Sequence, residues 1–114
     1  MFAMIDNDKN INPTAEQVAA WEEKYGRLKK VVLKATEEGE ADMVFYFKKI
    51  DLKTLRLAQN AITQEKDNIK YADIVLRNSI LNGQAYLDDS DVFLGLVQVV
   101  DKLLTSRVAV LEKN

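Results

Sequence analysis

The sequence predicts an α+β fold in which one antiparallel β-hairpin packs with about four helices, the last of them long and apolar. Three observations carry this. Side chains alternate with period two from Leu28 to Thr36 and again up to Phe47. The period changes to 3.6 at Asp51. Two long apolar segments, residues 67–81 and 92–111, then meet at Asn82-Gly83.

In chain order, residues 1–12 turn polar after Met1-Phe2-Ala3-Met4-Ile5 and read as a flexible arm. Residues 13–114 read as a single α+β domain, since a chain of 114 residues can hold a core without staples. Asp6-Asn7-Asp8-Lys9-Asn10 imitates the start of a calcium loop, but Ile11 stands where the turn needs glycine and Gln17 where a bidentate glutamate belongs. Asn12-Pro13-Thr14 opens a helix over 14–25, with Gln17 placed for a capping box and Gly26 for the stop. Val18, Trp21 and Tyr25 form its apolar stripe, with Trp21 as docking anchor.

The hairpin is expected at 28–36 and 42–49, turning through Glu37-Glu38-Gly39-Glu40. Val44-Phe45-Tyr46-Phe47 is apolar on both strand faces, so both faces need a neighbour. Lys48-Lys49 reads as a solvated strand end. Asp51 caps a helix over 52–65 whose stripe is Leu55, Ala58 and Ile62. A third helix over 68–82 places Ile69, Ala72, Leu76 and Ile80 on one face, Val75 beside them, and Ile74 and Leu81 on a second flank. The last helix is expected over 90–111. It starts at Asp88-Asp89-Ser90-Asp91 and is apolar around about half its circumference. Leu76, Ile80, Leu96 and Leu103 are expected in the core.

Composition excludes more than it selects. There is no cysteine and no histidine, which removes thiolate chemistry and the commonest general base and metal ligand. No serine sits in a nucleophile elbow and no glycine cluster cradles a phosphate. The carboxylates of the turn and of the last helix start suit capping better than catalysis or cation binding. No catalytic, cofactor or metal residue is therefore assigned, and the chain is not expected to be an enzyme. The 16 basic and 18 acidic residues are interspersed, against a nucleic-acid partner. No apolar run matches a membrane span, and the chain reads as cytoplasmic.

The apolar arc of the last helix exceeds what one core contact needs, which marks either an interaction surface or a face covered by the helix over 51–65 and the hairpin. The candidates are Phe93, Val97, Leu104 and Val108 on its outer flank, with Val44 and Tyr46 from the hairpin. Self-association into a homo-oligomer through this surface is expected, weakly opposed by a net charge of −2.

Taken as one pattern, the chain runs from Lys24-Tyr25-Gly26 through the hairpin ending Val44-Phe45-Tyr46-Phe47-Lys48-Lys49 to Val75-Leu76-Arg77-Asn78-Ser79-Ile80-Leu81-Asn82-Gly83. Asp88-Asp89, Phe93-Leu94 and Val99-Val100-Asp101-Lys102-Leu103-Leu104 follow. This pattern resembles the tail assembly chaperone-like proteins of tailed bacteriophages and prophages of Bacteroides-type hosts, over roughly residues 13–113. The resemblance implies a non-enzymatic protein of the bacterial host cytoplasm. Such a protein binds the long helical tape measure protein during virion assembly, keeps it soluble, and helps recruit the tail tube protein. It also implies self-association and carries no catalytic residues. The alternative reading is a small regulatory or scaffold module of a bacterial operon that binds one dedicated protein.

Overall fold

Thr14 starts the first helix through a reciprocal cap. Its hydroxyl accepts from the Gln17 N–H at 3.2 Å, while the Thr14 N–H donates to Gln17 Oε1 at 2.9 Å. The computed structural model describes residues 7–104 and 109–113. It is an α+β structure with five α-helices and one two-stranded antiparallel sheet among those residues. These are α1 (Ala15–Tyr25), β1 (Lys29–Leu33), β2 (Met43–Phe47), α2 (Leu52–Thr63), α3 (Asn68–Ser79), α4 (Ser90–Val97) and α5 (Val100–Leu104). The strands pair with Lys29 opposite Phe47 and Leu33 opposite Met43, and Gly39 in the connecting turn has φ +89°.

Strand alternation sorts the hairpin into two faces. Phe45 and Phe47 point into the core, where they are buried with Val75, Leu76, Leu96 and Val100. Tyr46 points the other way, beneath Trp21 of α1 with ring centroids 6.1 Å apart. Trp21 is thus the anchor of α1, and α1 buries no residue fully. Helices α2 and α3 pack together through small residues, Ala58, Ala61 and Ala72, all buried. Of the expected core, Leu76, Ile80 and Leu96 are buried and Leu103 packs half-buried against them. Ile69 lies in the first turn of α3 and is 70% exposed. Truncating Leu76 to alanine empties a fully enclosed site. We expect the unfolding free energy to fall by about 2–4 kcal/mol, read from the denaturant midpoint.

Three expected elements differ in the structure. The third helix stops at Ser79 rather than at residue 82. Ile80 is extended and bridges Phe47, the Leu81 N–H donates to the Tyr46 carbonyl, and the Lys48 N–H donates to the Ser79 carbonyl. The helix ends early because the outer edge of β2 is buried and its backbone groups need partners. Gly83 is left-handed (φ 74°), as a stop residue would be, but it starts a 3-10 helix over Gln84–Asp88 instead of closing α3.

Among the described residues, the segment expected as one helix over 90–111 holds two short helices, α4 and α5, with residues 105–108 outside the described part. The Asp89 carboxylate caps α4 by accepting from the Asp91 and Val92 N–H groups. The chain then tightens at residues 98–99, where the Val99 N–H bonds the Leu96 carbonyl three residues back. Val97, Val99 and Val100 are β-branched and resist regular continuation. Residues 109–113 are not helical, and Val110 and Leu111 are 74% and 101% exposed.

The N-terminal arm is likewise tied down over its described part. The Asn7 carbonyl accepts from the Gly83 N–H at 2.7 Å, and the Ile11 carbonyl accepts from the Val44 N–H at 2.8 Å. Residues 7–12 therefore behave as an edge cover for β2, while residues 1–6 lie outside the described part. No helix of the described residues is long and apolar enough to cross a membrane.

Candidate partner-binding groove

Hairpin register brings cations together that are far apart in the chain. With Lys29 opposite Phe47, the start of β1 and the end of β2 share one end of the sheet. Arg27, Lys29, Lys48 and Lys49 all reach that end and line one rim of an open groove of about 950 Å³. Its floor is apolar: Phe47 from β2, Leu52 and Leu55 from the first turn of α2, and Leu103 and Leu104 from α5. Leu52 is 61% exposed, although it stands at the start of an amphipathic helix.

Two of these cations are placed by local contacts. The Lys29 ammonium donates to the carbonyls of Lys102 and Leu103 in α5. This bond ties β1 to α5 and fixes one wall of the groove. The Lys48 ammonium sits 4.9 Å from the centre of the Tyr25 ring, with the Lys24 ammonium 5.1 Å from the same ring. Asp51 supplies the single carboxylate among the described residues of the groove and caps α2, accepting from the Thr54 N–H at 2.7 Å. That N–H, then the Thr54 side chain, and then Lys53 and Lys48 hold the Asp51 carboxyl below its ordinary value.

Because the folded pKa is lowered, the stabilisation from Asp51 is complete above the ordinary carboxylate value of about 4. It is lost as pH falls through the folded value. Asp51→Asn keeps a capping oxygen and removes the charge. The melting-temperature gap between wild type and this variant is expected to narrow on acidification from about pH 6 to about pH 2.

Of the six residues singled out from sequence, the five that are described do not form one surface. Leu104 lines the groove and packs on the core, and Phe93 packs half-buried on the core from α4. Val97 is 36% exposed on α4. Val44 and Tyr46 sit half-buried on the sheet face away from the core, Tyr46 under Trp21. Val108 lies outside the described residues. Sequence reasoning missed the cationic rim, treating Lys48-Lys49 as a solvated end. The signal was the register itself. A turn centred near Gly39 places Lys48 and Lys49 beside Arg27 and Leu28.

An apolar floor with a cationic rim suits an amphipathic helix whose apolar stripe is flanked by carboxylates. The floor offers burial, and the rim offers screened attraction and orientation.

No family model and no curated protein matches the chain. A solved structure of an uncharacterised protein from Bacillus stearothermophilus is similar to it, with a TM-score of 0.52 and 15% identity. The match covers 84% of this chain and 99% of that one. At this identity the likeness concerns the fold.

Proposed function

We propose that the chain is a non-enzymatic tail assembly chaperone-like protein of a bacteriophage or prophage. It acts in the cytoplasm of the bacterial host. It binds the helical tape measure protein, keeps that protein soluble, and presents it to the tail tube protein. Self-association belongs to the same proposal. The observation that carries it is the groove between β2, α2 and α5. There Leu52, Leu55, Leu103 and Leu104 form an open apolar floor beside Arg27, Lys48 and Lys49. A long helical client has a repeating apolar stripe that is insoluble until covered, and a groove of this kind covers one turn of it at a time.

Co-expression with the tape measure protein encoded nearest to the chain tests the proposal. The wild type is expected to keep the tape measure protein soluble and to co-purify with it. Leu52→Asp puts a carboxylate on the groove floor. Leu52 is exposed at the first position of α2, where negative charge is compatible with the helix dipole, so the variant should fold. It is expected to lose the client. Equal recovery of client with wild type and variant, or no client with either, would count against the proposal.

A further inference from the structure

The two long edges of the hairpin are unequal. Along β2 every outward group is taken. The Tyr46 N–H donates to Asn82 Oδ1 at 2.8 Å, Asn82 Nδ2 donates to the Val44 carbonyl at 2.8 Å, and Val44, Tyr46 and Lys48 also bond Ile11, Leu81 and Ser79. Because those β2 residues point outward, alternation leaves Lys29, Val31 and Leu33 as the β1 residues bonded to β2. Lys30 and Val32 therefore turn their N–H and C=O groups to the opposite side. Among the described residues, no backbone group pairs with them there.

Apolar surface flanks this open edge. Val32 is 36% exposed on one side of the strand. On the other side α4 meets β1 at Gly95, whose missing Cβ would lie 3.0 Å from Leu33 Cδ2. Leu94, 60% exposed, and Val32 line a common groove of about 920 Å³ along the edge. A strand edge with open backbone groups and apolar flanks is a template for another strand.

We propose that this edge pairs with β1 of a second copy, antiparallel about a two-fold axis at Val31, to give a continuous sheet in the order β2-β1-β1-β2. This rests on the strand edge and is independent of the cation-rimmed groove.

Charge selects the direction. The turn end of the hairpin carries Glu37, Glu38, Glu40 and Asp42 against Lys34, while the open end carries Arg27, Lys29, Lys30, Lys48 and Lys49 against Asp51. Antiparallel pairing sets each basic end beside the partner's acidic end, twice, whereas parallel pairing sets like beside like. Alternation selects the register. Lys30 and Val32 can exchange hydrogen bonds only with the outward residues of the partner strand. A two-residue slip in either direction puts Lys30 opposite Lys30 or opposite Lys34 of the other copy, which is repulsive. Pairing Lys30 with Val32 avoids both and gives a closed, self-complementary contact.

Sedimentation and cysteine cross-linking test the interface. The wild type is expected to sediment as a dimer. Val32→Pro removes an N–H that bonds nothing among the described residues, and this variant is expected to sediment as a monomer with an unchanged far-UV spectrum. The chain has no cysteine. At the two-fold axis, Val31 faces its counterpart across a non-hydrogen-bonded pair with a Cα separation of about 4.5 Å, within disulfide reach. Val31→Cys is therefore expected to give a covalent dimer on mild oxidation, and Val32→Cys to give none. The groove variant Leu52→Asp should leave the dimer unchanged, so failure of client binding and failure of this interface are distinguishable. A monomeric wild type at about 100 μM, or a dimer that survives Val32→Pro, would overturn the proposal. So would cross-linking at position 32 instead of 31. If Val32→Pro fails to fold, absence of the Val31→Cys dimer alone overturns it.

Discussion

Replacing Asn82 by alanine is expected to be among the most damaging single changes in the chain, costing about 3–5 kcal/mol of unfolding free energy. The side chain is fully buried. Its carbonyl oxygen accepts from the Tyr46 N–H, and its amide donates to the Val44 carbonyl at 2.8 Å and the Asn10 carbonyl at 2.6 Å. One side chain thus does for β2 what a third strand would do, and it pins the N-terminal segment to the same edge. Alanine removes all three bonds and leaves three part-buried backbone groups without these partners. Each such group costs on the order of 1–3 kcal/mol, partly relieved where water can enter. Asn82→Asp isolates the amide's contribution. It retains the acceptor for Tyr46 but sets a carboxylate against the Val44 and Asn10 carbonyls, so it should be at least as destabilising as alanine. Chemical denaturation monitored by circular dichroism reads both. An alanine variant within about 1 kcal/mol of wild type would show that the bonds are dispensable.

Gly83→Ala is the second large effect expected, about 2–4 kcal/mol. Two costs combine. The residue has φ +74°, where an L side chain is strained. A Cβ there would also lie 2.5 Å from Phe45 Cε1 and 2.9 Å from Cδ1, so Phe45 would have to move. Phe45 is fully enclosed in the same core as Val75 and Leu96, so moving it disturbs a close-packed interior. By contrast, a Cβ at Gly39 meets nothing within 4 Å, so Gly39→Ala tests the backbone strain alone, at φ +89°. The difference between the two variants in denaturant midpoint measures the packing part. Equal losses would mean that Phe45 repacks freely.

These two residues also show where sequence reasoning stopped. Asn82-Gly83 is legible as a chain stop, because asparagine and glycine both tolerate left-handed backbone and end helices. Their part in the fold depends on what lies across from them. The helical period of residues 68–81 continues through Ile80 and Leu81, so nothing local says that the chain leaves the helix at Ser79. The reason is tertiary: the outer edge of β2 is buried and its N–H and C=O groups must be met. The docked segment over residues 7–12 has the same cause, since a polar stretch without periodicity gives no sign that its carbonyls will be used.

The caps, the hairpin and most of the core were readable. Thr14 with Gln17, Asp51, and Asp89 cap the helices that their residue types announce. The period-two pattern around Gly39 gives the hairpin. The last apolar segment misled because its periodicity fits one helix, while length and register depend on burial, which the segment gets at Val92, Leu96 and Val100 but not at Val110 or Leu111. The groove was only half visible. Its leucines stand out along α2, but its cations converge only once the strand register is fixed.

Amide hydrogen exchange on the chain, alone and in complex with the tape measure protein, bears most directly on the proposed function. Protection on binding is expected at the start of α2, around Leu52 and Leu55, and at Leu103 and Leu104 of α5, with Trp21 and the outer face of the hairpin unchanged. No complex, or a complex whose protection falls elsewhere and spares α2 and α5, would contradict it.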